Sequence, residues 1–259
     1  MCGRYVVSAT PQQLALDFGA VLAIDEYPPD YNVAPTKPVP AVLVRGEQRT
    51  LSTLRWGLIP FWAKDPSVGA KMINARIESA AEKSAFKQSF SRRRCLLPAD
   101  GYYEWHVLPP DEDEAAQAEA ASAAKSGRKA KPKPRKQPYY VRPTAGGLLA
   151  FAGLYERWRD AEGRELWSAS ILTAAAAEPL AWLHDRMPLT VPQGAWESWL
   201  DPSATDPAAA RELLQFHPRW TAIPVSTQVN SVANNGPALV EAVSPQPAGS
   251  GMTRPETLF

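Results

Sequence analysis

The stretch RCLLPADGYYEWHV (94–107) reads as strand, turn, strand. Two apolar and aromatic runs flank Asp100-Gly101, a dipeptide that marks a turn. Cys95 sits in the apolar first run and reads as core packing. Beyond the turn, Glu104 stands between Tyr103 and Trp105. A carboxylate flanked by aromatics loses hydration, which raises its pKa towards that of a general acid. The plainer alternative is a solvated glutamate on an alternating strand.

The same alternation recurs on both sides. Upstream, GRYVVS (3–8), AVLVR (41–45) and RTLSTLRWGLIP (49–60) read as strands, the last two joined through GEQ (46–48). Thr10-Pro11-Gln12-Gln13 supplies an N-cap, a first-turn proline and a capping box, predicting a helix to about Phe18. Residues 27–40 are proline-rich and read as loop, as do residues 61–79. SAAEKSAFKQSFSRRR (79–94) reads as an amphipathic helix with a basic end. Downstream, PYYVRP (138–143), LLAFAGLYERW (148–158), ELWSASILTAAA (165–176) and RWTAIPVS (219–226) read as strands. EPLAWLHD (178–185), GAWESWLD (194–201) and DPAAARELLQFH (206–217) read as short helices.

Residues 109–137 differ in kind. They run from an acidic head through an alanine-rich middle to a Lys/Arg/Pro tail, with no aromatic residue. Such a segment buries too little surface to offset its ordering entropy. It is expected to be a disordered or frayed-helix insertion between two strands, within one domain spanning 2–243 and followed by a flexible tail, 244–259. Many strands, few long helices and no β-α-β alternation predict an α+β fold, with mostly antiparallel strands in a barrel-like sheet and short flanking helices.

With 259 residues the chain can build a core without staples. The net charge of +1 gives no global basic field, although a local basic groove survives such averaging. Two cysteines make neither a disulfide framework nor zinc spacing. No signal peptide or membrane-length apolar run is visible, so a cytoplasmic protein without metal or cofactor is expected.

Four clusters could carry chemistry. In MCGRY (1–5), loss of Met1 would leave Cys2 with a thiol and a free α-amine on adjacent carbons. The amine, with a reference pKa of about 8, is partly unprotonated at neutral pH. Such an aminothiol condenses with an aldehyde, the amine forming a Schiff base and the thiol closing a thiazolidine. Arg4 lies two residues from the thiol, where it could hold an anion. In MINARIES (72–79), Asn74, Arg76 and Glu78 share a face if the stretch is extended. That face can orient an amine and hold a phosphate. Glu104 is the third candidate. The fourth, His184-Asp185-Arg186, puts a proton shuttle beside an anion-binding side chain. For each of these, an ordinary surface or structural role remains open.

Taken together and in order, MCGRY, NVAPT (32–36), RWGLIPFWA (55–63), INARIES (73–79), CLLPADGYYEW (95–105), FAGLYERW (151–158), ILTAAAAEPLAWLHDRMPL (171–189) and VNSVANN (229–235) resemble the SRAP (SOS-response-associated peptidase) family of abasic-site processing proteins. The resemblance implies covalent capture of abasic sites in single-stranded DNA, often at single-strand/double-strand junctions, by a monomer in the cytoplasm associated with the nucleoid. It also implies possible lyase and self-processing peptidase activities. Carried over by position, it makes Cys2 the nucleophile and Asn74 the residue that positions its amine. Glu104 would assist ring opening and proton transfer, and His184 would support Schiff-base chemistry and reversal. Arg4, Arg76 and Arg186 fall on phosphate-contacting positions, Pro35, Trp56 and Trp105 on groove and wedge positions, and Thr173 on a DNA-backbone contact. The insertion departs from the compact family pattern. Two alternatives stand beside this one: a class II glutamine amidotransferase, which also begins Met-Cys-Gly, and a non-covalent single-strand-binding module.

Overall fold

In the computed structural model, which describes residues 2–109, 134–216 and 219–244, the two strands of 94–107 do not pair with each other. Arg94–Ala99 (β7) is buried along its whole length in one sheet, and Gly101–Val107 (β8) belongs to another. Asp100 is the corner between them. Its backbone N–H donates to the Val6 carbonyl at 2.9 Å, and its carboxylate accepts from the Ser8 N–H at 2.6 Å. A Cβ on Gly101 would lie 2.5 Å from the Val141 carbonyl, so only glycine lets the strands meet so closely.

The first sheet closes on itself. Pro38–Arg45 (β4) pairs antiparallel with Gln48–Trp56 (β5) and, at Val42, with β7. Leu149–Arg159 (β10) lies antiparallel between β7 and Glu165–Ala175 (β11). β11 then meets β5 in parallel at Ser168 and Ala169, completing a ring of five strands. Val21–Leu22 (β2), Asn74–Arg76 (β6) and Arg186–Pro188 (β12) extend its rim. Apolar residues of the ring strands, among them Val42, Leu54, Leu96, Phe151 and Ile171, are buried in one cluster.

The second sheet runs in the order Trp220–Pro224 (β13), Lys136–Pro143 (β9), β8, Arg4–Val7 (β1), Asp30–Val33 (β3), all antiparallel. Aromatic rings bond it to the barrel. Tyr5 meets Trp56 edge-on at 5.0 Å and Phe151 at 6.1 Å, and Tyr102 meets Phe151 at 6.3 Å. Each such pair contributes about 0.5–1.5 kcal/mol beyond its burial.

The α+β architecture agrees with the sequence, but several local expectations change. The 27–40 loop contains β3 and the start of β4; pairing of β4 towards β7 is confined to Val42, beyond both Pro38 and Pro40. The 61–79 loop contains a 3-10 turn (Pro66–Lys71), β6 and the start of a short helix, Ile77–Ala80. Of the helix expected over 79–94, only the end of Ile77–Ala80 and Lys87–Arg92 are helical. EPLAWLHD forms successive turns with i to i−3 bonds (Leu180 N to Ala177 O, 3.0 Å; Leu183 N to Leu180 O, 2.9 Å), too short a run to propagate a helix past Pro179. The helix expected from Thr10 is present as Pro11–Asp17. β8 and β9 pair to their ends, Val107 with Lys136, and Leu108 N donates to Arg135 O. The insertion thus springs from a hairpin tip, and residues 136–137 belong to the strand. Its remaining core, 110–133, and most of the expected tail, 245–259, lie outside the described residues. Among the described residues no helix is long and apolar enough to cross a membrane.

Arg94 shows how the helical edge is fastened. Its guanidinium is buried and donates to five carbonyls: Trp199, Phe90, Ser91, Asp201 and Ala204, at 2.6–3.0 Å. Removing it takes the guanidinium partner from all five, of which the Asp201 carbonyl keeps the Ala204 N–H at 3.3 Å, and Arg94→Ala is expected to destabilise the fold by more than about 3 kcal/mol in urea denaturation. Gly101→Ala should cost about 1–3 kcal/mol by overpacking, whereas Gly194→Ala, with nothing within 4 Å of the added methyl, should stay within about 0.5 kcal/mol of the wild type.

Candidate active site and nucleic-acid interface

The site lies where the start of β1, the start of β6, β8 and the turns before β12 converge. Cys2 is wholly buried. The Asn74 side-chain amide donates to the Cys2 carbonyl at 2.8 Å. Asn74 leads β6, which runs parallel to β11 from Ile171 to Thr173. Its other amide atom, Oδ1, is buried among the described residues without a hydrogen-bond partner. Such an orphan acceptor calls for an explanation.

Burial pushes the Cys2 thiol far above the usual thiol range, and the neighbouring Glu104 charge pushes it further. This thiol is therefore neutral and becomes a nucleophile only when a base takes its proton. Glu104 is itself buried, and that burial raises its carboxyl pKa, while the charge of nearby His184 acts in the opposite direction. The alternating-strand alternative, an exposed glutamate, is excluded by its 6% exposure.

His184 follows the turns instead of closing a helix. Its Nδ1 accepts the Arg186 backbone N–H at 2.9 Å and lies 2.7 Å from the Asp185 carboxylate. One nitrogen cannot accept and donate at once, so the two contacts are alternatives: Nδ1 without a proton takes the Arg186 N–H, and Nδ1 carrying one faces Asp185. This is suited to a proton shuttle.

The three arginines differ. Arg4 donates to Asn32 Oδ1 (2.7 Å), Val229 O (2.8 Å) and Asn230 O (3.3 Å), and lies 5.9 Å from the Trp105 ring centroid. Trp105, half-buried, donates to Asn230 Oδ1 at 2.7 Å. Arg186 is fixed by Thr173 and pairs with both carboxylate oxygens of Glu78 at 3.2 and 2.9 Å. Arg76 is exposed. Glu78 does not continue the β6 face, since the strand ends at Arg76 and a helix begins; it reaches Arg186 from that helix.

Two expected DNA contacts take other roles. Trp56 is wholly buried and offers no face to a base; its indole N–H donates to Ile73 O at 3.0 Å, bracing the residue before Asn74. Thr173 is wholly buried and holds Arg186 through its hydroxyl and carbonyl. Pro35 sits in a partly exposed turn pinned to Trp56 on both sides: Thr36 N donates to Trp56 O at 2.8 Å, and Trp56 N to Lys37 O at 2.9 Å. Thr36 has φ +72°, a genuine outlier for a β-branched residue.

Asn32 was not singled out by the sequence beyond its place in NVAPT. It is buried, and its amide also donates to the carbonyls of Val229, Ser231 and Asn234 at 3.2, 2.9 and 3.0 Å. It thereby fastens VNSVANN beside Arg4 and Trp105.

Comparisons with known proteins follow the same lines. The family described as "SOS response associated peptidase (SRAP)" matches residues 1–232. The abasic site processing protein YoqW of Bacillus subtilis is 37% identical over 246 residues, covering 93% of this chain and all of that protein. The abasic site processing protein HMCES of Xenopus tropicalis is 31% identical, covering 85% of this chain and 68% of its own length. A crystal structure of a protein from Bacteroides thetaiotaomicron shares the fold with a TM-score of 0.75 at 24% identity, over 94% of this chain and all of that one. The match over most of the chain and the identity to curated members establish that this chain belongs to the SRAP family.

Proposed function

We propose that the protein processes abasic sites in DNA by covalent capture on Cys2 once Met1 is removed. The observation that carries this reading is the Asn74 amide. Its N–H end holds the Cys2 carbonyl, and its buried, unpartnered oxygen suits the amine that processing would create.

The chemistry follows from the residues. Ring opening of the abasic deoxyribose exposes an aldehyde, and the Cys2 amine attacks its carbon to give a carbinolamine. Protonated Glu104 gives its proton to the departing hydroxyl, releasing water and leaving an iminium. The resulting carboxylate takes the thiol proton as sulfur bonds to the iminium carbon. The iminium nitrogen becomes the neutral ring amine of a thiazolidine, and Glu104 ends protonated. Net, aminothiol and aldehyde give thiazolidine and one water. A carboxyl pushed by burial towards its neutral form fits the first transfer, and its closeness to the thiol fits the second. Holding both reactants in place makes the condensation effectively intramolecular. His184 is assigned proton exchange during Schiff-base formation and reversal. The exposed Arg76, and Arg186 in exchange for Glu78, are assigned the phosphates. Trp105 is assigned a base, and the Pro35 turn a wedge between bases. The strand occupied by the lesion is single, including at junctions. Lyase and self-processing activities belong to the same reading, since an iminium permits β-elimination.

Incubated with an abasic oligonucleotide and run on a denaturing gel, the wild type is expected to give an adduct that Cys2→Ala lacks. An amidotransferase would show glutaminase activity and no adduct; a non-covalent module would bind DNA equally in both proteins. His184→Ala should slow adduct formation or reversal at least tenfold while keeping affinity for intact single strands within about twofold; equal loss of both would move His184 to recognition. Glu104 binds its proton more tightly folded than unfolded, so the stability it confers is present below the ordinary glutamate pKa and lost as pH rises through its raised value. Glu104→Gln should therefore raise Tm more at pH 8 than at pH 4.5, and slow adduct formation at both.

A further inference from the structure

Trp182 lies in the turns before His184 and plays no part in the reading above. It is 48% exposed, unusual for an indole beside a deep site. Its ring is nevertheless fixed. His106 meets it at 5.2 Å and 62°, and Tyr139 at 5.1 Å and 85°. His106 and Tyr139 come from β8 and β9, just below the tip from which the insertion leaves. Trp182, His106, Lys136, Trp105, Glu104 and His184 line one cleft of about 440 Å³. The cleft is continuous with the catalytic cluster, because Glu104 and His184 are among the residues that line it.

A half-exposed indole braced by two rings, a cation in the lining and residues shared with the reacting centre are the components of a base-stacking subsite. Successive bases of a single strand stack on aromatic platforms, while cations follow the phosphates. We propose that Trp182 stacks the base of a nucleotide adjacent to the abasic residue, with Lys136 beside its phosphate, so that the cleft reads whether the lesion has an intact neighbour. This rests on the proposed function for the identity of the strand, but its own evidence is the cleft. Stacking strength depends on ring size, so an adjacent purine should be held better than a pyrimidine.

The test uses single-stranded oligonucleotides with one abasic site, flanked on both sides either by deoxyadenosines or by baseless tetrahydrofuran residues. Affinity is read by fluorescence anisotropy and adduct by denaturing gel in the same samples. Wild type should bind the adenosine-flanked strand about five- to a hundredfold more tightly, the range of one base stack. In Trp182→Ala that ratio should fall about fivefold or more, the part left belonging to Trp105 and the Pro35 turn, and Trp182→Phe, which keeps a π face, should lose less than half as much on a logarithmic scale. A wild-type ratio near one, an undiminished ratio in Trp182→Ala, or equal loss in both variants would overturn the subsite. Absence of any adduct in the wild type would instead overturn the proposed function, with the anisotropy ratio still deciding the subsite.

Discussion

A single 2.8 Å hydrogen bond, from the Asn74 amide to the carbonyl of Cys2, ties the first residues of the chain to a strand seventy-two positions on. Chain ends ordinarily fray. This one is held because β1 is pinned between β8 and β3, and because β6 is held in register by β11. Trp56 braces the same junction from below, through Ile73. The closed barrel supplies the rigid floor; the second sheet supplies Arg4 and Glu104 on adjacent strands, with Arg4 opposite Tyr103.

That placement sets the electrostatics. Cys2 and Glu104 are buried side by side, and each is pushed towards its neutral form. An iminium formed beside them favours thiolate and carboxylate alike, so the thiol proton can pass to the Glu104 carboxylate as sulfur bonds to carbon. Residues around this pair are engaged in support. Arg4 and Asn32 hold the 229–234 segment, and Thr173 holds Arg186 against Glu78. Glu78 is a carboxylate on a guanidinium that a phosphate would also suit, so on the proposed reading DNA binding there would exchange one bidentate partner for another.

Much of this was legible in the sequence, though unevenly. The strands announced themselves by alternation, and the cap at Thr10 by its hydroxyl. The corner at Asp100-Gly101 was legible as a turn but not as a passage between sheets, because a hairpin and a sheet-to-sheet corner share the same residues. The unbroken burial of Arg94–Ala99 is what distinguishes them, and it depends on strands from elsewhere in the chain. Cys2, Asn74, Glu104 and His184 were singled out by residue type and by resemblance to the family. Trp56 and Thr173, expected at DNA-contacting positions, are wholly buried and brace Ile73 and Arg186: an aromatic or hydroxyl residue near a site motif looks alike whether it faces ligand or braces the residue that does. Asn32 and Trp182 gave no signal of their own, since one acts through carbonyls nearly two hundred residues away and the other through a cleft built by three segments.

The central claim is that the terminal amine and thiol of one residue act together. Intact-mass analysis of the adduct with an abasic oligonucleotide tests it most directly, followed by peptide mapping and by borohydride challenge. The account predicts a mass equal to the chain without Met1 plus the oligonucleotide minus one water, with the link at Cys2 and resistance to reduction because the ring contains no imine. An adduct that retains Met1, maps to a lysine, or is trapped only by borohydride would contradict it.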